Sequence, residues 1–274
     1  MEIGVFSRTY HCTEVEKTFQ RMQEDGIFHT QYNFQNAGLT PLPEKIPEKL
    51  LLQIRHSARE SGIALDVLTG TFNMIDPEND RRKKSIEQFR LQCYAAAQLE
   101  IPVVSLCTGS RHPKDKWTWD DQNLTDAAWS DLLRTTEAIL RIAEKEGVVL
   151  AFETEPSNII NTPERARKYL DEFQCPQLKV IMDAANLFRP GEMRDIHEEI
   201  DKAFALLSEE IVTAHAKDYR YDGKLSFCGA GRGEIDWPYY MKKLINAGYR
   251  GSLIMHGLEE EEIAARAEYL RECL

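Results

Sequence analysis

The chain has 274 residues, of which 42% are apolar and 29% are charged, a composition that excludes a disordered or collagen-like protein. Its formal net charge of −11 disfavours sequence-independent binding to nucleic acid, which needs a basic face to neutralise phosphates. No apolar run reaches the roughly 18 residues of a membrane span, and no basic and apolar leader opens the sequence. The six cysteines form no CxxC pair and are typical of reduced thiols, so we expect a cytoplasmic protein that binds neither nucleic acid nor membranes.

Eight short runs of apolar or β-branched residues recur along the chain, and each is followed by a longer amphipathic stretch. Several runs are apolar almost throughout, which is typical of parallel strands that are buried on both faces. The predicted strands are Ile3–Ser7, Phe28–Phe34, Ile63–Thr69, Val103–Cys107, Val148–Glu153, Leu178–Asp183, Ile211–His215 and Ser252–His256.

Helical patterns fill the intervals between these strands. The segment Thr162-Pro163-Glu164 predicts a helix start, since it combines a capping hydroxyl, a proline in the first turn and an acid at the positive end of the helix dipole. Helices are predicted to end at three glycines, Gly62, Gly147 and Gly248. Eight strands alternating with helices predict an α/β fold, a (β/α)8 TIM barrel that forms a single domain over residues 1–274. A doubly wound open sheet is the alternative, but no GxGxxG motif follows the first strand.

Polar residues end four consecutive predicted strands, in the segments LAFETEP, VIMDAAN, VTAHAKD and LIMHG. They are Glu153, Asp183, His215 and His256, and a barrel gathers the carboxyl ends of its strands at the active-site face. Carboxylates and imidazoles that converge there suit one divalent metal ion, with Mn²⁺ favoured and Mg²⁺, Zn²⁺ or Co²⁺ as alternatives. One such carboxylate could equally cap the next helix, whereas four polar residues on four neighbouring strands indicate a shared ligand.

These motifs resemble the xylose isomerase-like barrels, a family of sugar and sugar phosphate isomerases and epimerases, inosose dehydratases and endonuclease IV-type enzymes. The resemblance covers essentially the whole chain and rests on LAFETEPSNIINTPE, VIMDAAN, HAKD, GAGRGEIDW and AGYRGSLIMHGL. It implies that one divalent metal is held by a Glu, an Asp, a His and a second Glu, of which Glu153, Asp183 and His215 match the first three. His256 stands where the family usually has the second glutamate, and Asn186 replaces the histidine of a frequent DxxH motif.

The resemblance also implies a set of proton carriers. In the epimerases of this family two metal-bound glutamates face opposite sides of a ketose, and each moves a proton at the carbon next to the carbonyl. Here Glu153 would act together with Glu155 or His256. Glu155 lies two residues after Glu153 and would face the same side of a continuing strand, although it could equally be a loop carboxylate. Lys217 in HAKD would act as an acid or as a partner of an oxyanion.

Five further residues are candidates for substrate binding. Arg111 and Trp117 follow the fourth strand and suit an anionic clamp and a lid over a sugar, although the tryptophan could instead form a dimer contact. Asn73 and Asn186 suit hydroxyl recognition. Arg232 lies in the glycine-rich GAGRGEIDW segment, which is typical of a phosphate-binding loop or of a plain turn.

The sequence therefore predicts a metal-dependent isomerase or epimerase that moves a proton at the carbon next to the carbonyl of a small-molecule sugar or sugar phosphate. One alternative is a lyase of the inosose dehydratase type, and another is a sugar-binding barrel without catalytic activity, which the change at His256 favours. A DNA-repair endonuclease is disfavoured by the acidic charge and by the lack of ligands for a three-metal cluster. The sequence leaves the substrate, the metal and a homo-oligomeric state open.

Overall fold

The computed structural model describes residues 1–189 and 195–274, and in these ranges eight parallel strands close into a ring. Strands β1 to β7 pair in chain order, and β9 lies between β7 and β1 and closes the ring. The strands are β1 Ile3–Phe6, β2 His29–Tyr32, β3 Ala64–Thr69, β4 Val103–Leu106, β5 Val149–Glu153, β6 Leu178–Asp183, β7 Ile211–Tyr221, β8 Leu225–Gly229 and β9 Leu253–Met255. The predicted (β/α)8 barrel is confirmed.

Eight α-helices lie outside the ring in the described ranges. They are α1 Val15–Glu24, α2 Glu48–Glu60, α3 Asn79–Leu99, α4 Asp126–Glu146, α5 Pro163–Phe173, α6 Ile196–Leu207, α7 Trp237–Asn246 and α8 Ile263–Glu272. The predicted start of α5 is confirmed, because the Thr162 side chain accepts a hydrogen bond from the backbone N–H of Arg165. Gly147 takes a φ of 71° directly after α4, as a glycine at a helix end should. No helix in the described residues combines the length and the apolarity needed to cross a membrane.

The seventh strand differs from the prediction. It was predicted to end at His215, but β7 continues to Tyr221 and pairs in antiparallel fashion with β8, which lies outside the ring. The extension is not apolar, so the pattern used for the barrel strands does not reveal it. Backbone hydrogen bonds to β8 order the extension, in which residues 216–219 are also buried, and the resulting hairpin raises one wall above the carboxyl ends of the strands.

Two groups of apolar side chains fill the protein. The larger group lies between the ring and the helices. The smaller group consists of Val67, Val103, Ala151 and Ile181, on β3 to β6. A separate cluster drawn from neighbouring strands is expected for side chains that fill the interior of a barrel. This interior layer fixes which residues further along each strand also face inward.

A polar cluster joins three strands at the amino-terminal end of the barrel. His29 Nδ1 lies 2.8 Å from Asp66 Oδ2, and Ser252 Oγ donates to the same oxygen at 2.6 Å. The hydrogen bond to Asp66 raises the pKa of His29 above its ordinary value, which means that the folded chain favours the protonated imidazole. The cluster therefore links protonation of His29 to stability.

We expect this link to appear as a pH-dependent stability. A raised folded-state pKa adds stability that is complete below the unfolded pKa of about 6.5 and is lost as the pH rises through the folded pKa. The variant His29→Gln should lower the free energy of urea unfolding by about 0.5–1 kcal/mol near pH 5.5 and much less near pH 9. The exposed His56→Gln variant is the control. A loss that is equal at both pH values would contradict the prediction.

Candidate metal site

Strand register explains why the predicted polar residues converge. Glu153 and Asp183 each lie two residues after an interior residue of their strand, Ala151 and Ile181, so both side chains face into the barrel. Asp183 pairs directly with His215 across β6 and β7. His256 follows β9, and its backbone N–H donates to the carbonyl of Ala216 on β7 at 3.1 Å. Four neighbouring strands thus deliver these side chains to one level of the ring.

Three of the four predicted metal ligands form one compact group. The ligand atoms of Asp183, His215 and His256 all lie within 4.8 Å of one another. Glu153 borders this group, because its Oε2 atom lies 3.4 Å from His215 Nδ1. The structure therefore brings the four side chains together, with Glu153 at the edge of the cluster.

The donor atoms of the group fit a divalent cation. Seven buried side-chain atoms of the described residues have no hydrogen-bond partner, and three of them belong to this group, namely Asp183 Oδ2, His215 Nδ1 and His256 Nδ1. Buried polar atoms rarely lack a partner, so three of them in one place require an explanation. One carboxylate oxygen and two imidazole nitrogens are a donor set that first-row divalent ions and Zn²⁺ accept.

A buried amide orients His215 for this role. Gln31 Oε1 lies 2.9 Å from His215 Nε2, and both side chains are buried. A neutral His215 that donates through Nε2 keeps a lone pair on Nδ1, the atom that faces Glu153 and Asp183. Ligating histidines are usually oriented by such a second hydrogen bond. Gln31 was not among the predicted site residues.

Lys217 and Asn186 connect the carboxylates. Lys217 Nζ donates to Asn186 Oδ1 at 2.7 Å and lies 3.2 Å from Asp183 Oδ2. Asn186 Nδ2 in turn donates to Glu153 Oε2 at 3.0 Å. Asn186 therefore links Glu153 to Lys217, and the sequence predicted neither contact.

The charges of the cluster shift its pKa values in opposite directions. Burial alone raises the pKa of Glu153, but His215 and Lys217 outweigh burial and lower it to about 2. Burial alone lowers the pKa of His215, but Glu153 and Asp183 outweigh it and raise the pKa. The pKa of His256 lies well below its ordinary value, because burial, Lys217 and His215 all disfavour the imidazolium. A cation bound here would replace the proton that the carboxylates favour on His215.

Glu155 behaves differently from Glu153. Burial raises the pKa of Glu155 to about 7, since Lys217 offsets only part of the desolvation. No lysine, arginine or histidine nitrogen in the described part of the chain lies within 4.0 Å of its carboxylate oxygens. Glu155 is thus a carboxyl group that exchanges a proton near neutral pH.

The cluster opens into a cavity of about 450 Å³, a size typical of small-molecule sites. Of the predicted residues, the lining contains Glu153, Glu155, His215, Lys217, His256 and Trp117. Asp183 and Asn186 stand behind this lining through the contacts described above. The wall also includes Phe6, whose ring packs against His256 at 5.3 Å, and Phe227 of β8, whose ring lies 4.2 Å from Lys217 Nζ. Neither aromatic residue was predicted.

The structure places Asn73 and Arg111 in loop packing. Asn73 Nδ2 donates to the carbonyl of Ser110 at 2.7 Å, and its Oδ1 accepts from the Ser110 N–H. The Arg111 guanidinium lies 2.6 Å from Asp131 Oδ2 and donates to the carbonyl of Ile75. Both side chains brace the loops around the cavity, and neither belongs to its lining among the described residues. Their part in substrate binding stays a prediction.

The glycine-rich segment after β8 is organised by Asp218. This buried carboxylate accepts hydrogen bonds from the backbone N–H groups of Tyr219, Gly231 and Ile235 and from Trp237 Nε1. A Cβ at Gly233 would lie 2.3 Å from Asp218 Oδ1, so the glycine lets the loop approach the carboxylate. These backbone N–H groups of the loop therefore already donate to a carboxylate of the chain itself, that of Asp218.

Arg232 lies on the outer side of this segment. Its side chain is 54% exposed, and its Nε lies 3.1 Å from Glu262 Oε1. It does not belong to the cavity lining among the described residues, so the phosphate-binding role predicted for it stays a prediction.

The fold and the cluster define a TIM barrel with a polar cavity at the carboxyl ends of its strands. The chain belongs to the xylose isomerase-like TIM barrel family, whose sequence model matches residues 19–273. The resemblance seen in the motifs is confirmed.

Individual relatives are distant. A probable endonuclease 4 from Natronomonas pharaonis is 24% identical over 185 residues, which cover 66% of this chain and 62% of that protein. The match thus spans less than two thirds of that relative. Because this relative is named an endonuclease, the prediction that the chain does not bind nucleic acid is left without support.

Solved structures share the fold over the whole chain. The 3-keto-D-glucoside 4-epimerase of E. coli superposes with a TM-score of 0.76 at 16% identity, covering 100% of both chains. The D-psicose 3-epimerase of Clostridium cellulolyticum H10, solved with D-tagatose, gives 0.74 at 16% identity, covering 100% of this chain and 99% of that one. At such identities the similarity shows the common fold.

Proposed function

We propose that the chain is a divalent-metal-dependent isomerase or epimerase that moves a proton at the carbon next to the carbonyl of a sugar or a sugar derivative. One observation carries the proposal, namely the compact group of Asp183, His215 and His256 with its three buried atoms that make no hydrogen bond. The group lies at the wall of a cavity that also contains two carboxyl groups, Glu153 and Glu155. Epimerases among the structural neighbours agree with this reaction class.

The residues divide the chemistry between them. Asp183, His215 and His256 would hold the metal ion, with Glu153 at its edge, and the ion would supply Lewis-acid polarisation of the substrate carbonyl. Glu155 lines the cavity without an ion-pair partner in the described residues, so its carboxyl oxygen is free to take and return the substrate proton. Lys217 presents an ammonium group to the same cavity, where it would stabilise the oxygen on which negative charge develops.

The structure also bears on the dehydratase alternative. Glu153 and Glu155 both come from the end of β5, whereas His256 stands across the cluster with a depressed pKa. Proton carriers from one strand suit isomerisation, in which the proton returns to the same face of the substrate, and loss of a hydroxyl, whereas epimerisation would need a second proton carrier on the opposite face, such as His256. Dehydration begins with the same proton abstraction and therefore remains the second candidate.

The decisive experiment follows exchange of a C–H bond with solvent. Ketoses, their phosphates and inososes are incubated in D₂O with Mn²⁺-loaded protein, and deuterium uptake next to the carbonyl is read by proton NMR and mass spectrometry. We expect uptake that disappears after chelation and falls by about 100- to 10,000-fold in Glu155→Gln. Loss of water from the product would assign the dehydratase reaction.

The control is Glu87→Gln, because Glu87 is 69% exposed on the outer surface of α3. It should leave the exchange rate unchanged. Exchange that persists in both Glu153→Gln and Glu155→Gln would contradict the proposed roles. Absence of exchange with every substrate would favour a barrel that binds sugar without catalysis.

A further inference from the structure

Two cations line the cavity and have no carboxylate partner among the described residues. Arg8 follows β1, and Lys116 lies in the loop between β4 and α4. In the described residues no carboxylate oxygen comes within 4.0 Å of either charged group. The third cation of the lining, Lys217, is by contrast neutralised by Asp183 at 3.2 Å. Arg8 and Lys116 therefore offer free positive charge to whatever enters the cavity.

Both cations sit on backbone that buried amides hold in place. Next to Arg8, Ser7 Oγ donates to the Oδ1 of buried Asn36 at 2.8 Å. The carbonyl of Lys116 accepts from the Nδ2 of buried Asn158 at 2.9 Å. Aromatic rings support the charged ends, because the Arg8 guanidinium lies 5.1 Å from the Phe6 ring and Lys116 Nζ lies 5.2 Å from the Trp117 ring. The two charges are positioned features of the cavity.

Arg8 stands within reach of a molecule that also contacts the metal cluster. Its guanidinium lies 5.1 Å from the Phe6 ring, and that ring lies 5.3 Å from the ring of His256. The guanidinium is therefore at most about 10 Å from the His256 ring. A sugar-sized molecule whose carbonyl lies at the cluster would therefore place its far end near Arg8.

The residues that the sequence pointed to for anion binding are already neutralised. Arg111 is paired with Asp131 and Arg232 with Glu262, and both would have to give up a carboxylate to bind an anion. The chain as a whole carries a net charge of −11, which repels anions from its surface. In a protein with this acidic net charge, cavity cations that have no carboxylate partner favour binding of a negatively charged ligand.

We propose that the substrate carries an anionic group, a phosphate or a carboxylate, on the end remote from its carbonyl, and that Arg8 and Lys116 bind this group. The inference rests on the proposed function for the position of the carbonyl. It makes Arg8 and Lys116 specificity-determining residues, with charge-assisted hydrogen bonds to the anion.

Inorganic phosphate is the first probe, because its use requires no knowledge of the sugar. We expect the purified chain to bind one phosphate with millimolar affinity in calorimetry and phosphorus NMR. The double variant Arg8→Gln, Lys116→Gln should weaken this binding by about tenfold or more. Arg59→Gln, a change to an exposed arginine on α2, should leave it unchanged. Arg8→Lys keeps the charge and should retain most of the affinity, which separates loss of charge from loss of fold.

Matched ketoses then distinguish the two sources of negative charge. D-fructose, D-fructose 6-phosphate and D-fructuronate are titrated into Mn²⁺-loaded protein. Tighter binding of the phosphate ester or of the keto acid than of D-fructose, by about tenfold, supports the proposal and names the anion. The double variant should lose this preference while its affinity for D-fructose stays the same.

Three results would overturn the inference. They are no phosphate binding by the wild type, equal phosphate binding by wild type and double variant, and no preference for either anionic ketose. A loss of phosphate binding confined to Arg232→Gln would return the anion site to the glycine-rich segment. Metal-dependent deuterium exchange on neutral sugars without any anion preference would leave the proposed function intact and refute the anion site alone.

Discussion

Replacing Asp183, His215 or His256 by alanine is expected to weaken Mn²⁺ binding by about 10- to 100-fold in each case. Each change removes one donor of a group whose atoms lie within 4.8 Å of one another. Isothermal titration of chelator-treated protein measures the effect, with elemental analysis of the purified chain as a second readout. His56→Ala changes an exposed histidine on α2 and should have no effect.

The variant His256→Glu tests the departure from the family pattern. A glutamate would return the second carboxylate that the resemblance leads one to expect, and a hard cation such as Mn²⁺ should bind at least as tightly. Equal Mn²⁺ affinity of wild type and His256→Ala would show that His256 is not a ligand. The site would then consist of Glu153, Asp183 and His215, and the edge position of Glu153 would become a ligand position.

Asp218→Ala is expected to lower the free energy of unfolding by about 3–5 kcal/mol. The carboxylate is fully buried and accepts hydrogen bonds from four donors, three of them backbone N–H groups and one the Trp237 indole. Removing it leaves these donors buried without an acceptor, and each one then costs its desolvation. Urea unfolding followed by tryptophan fluorescence measures the loss.

Asp222→Ala is the matched control for this change, because Asp222 belongs to the same hairpin and is exposed. Its effect should stay within about 0.5 kcal/mol. A small effect of Asp218→Ala would mean that the glycine-rich segment is not fastened by the carboxylate. Its amides would then be free for an external anion, as the sequence pattern allowed.

The barrel and its candidate metal-ligand cluster were predictable because both depend on local patterns. Apolar runs reveal buried parallel strands, and polar residues at strand ends become neighbours once the ring closes. Asp183, His215 and His256 follow from this rule alone. The same rule applies to Arg8, which follows β1 and was not among the predicted site residues.

The remaining contacts depend on partners that are distant in the sequence. Gln31 is a polar residue inside β2, and its partner His215 lies 184 positions away. Arg111 was predicted to bind an anion of the substrate. Its actual partner, Asp131, belongs to the following helix, where a carboxylate is ordinarily solvated. Pairing of this kind is set by the tertiary packing of loops and helices, which no periodicity in the sequence encodes.

The position of β9 has a consequence for how the chain folds. Because β9 lies between β1 and β7, both of these strands keep an open edge until the segment Leu253–Met255 docks between them. During synthesis that segment emerges after the other strands. Until it docks, the unpaired edges of β1 and β7 are exposed, and exposed strand edges are prone to aggregation. His256 follows β9 directly and reaches its partners only when the ring is shut. Tight metal binding by a refolding chain would therefore report the moment of ring closure.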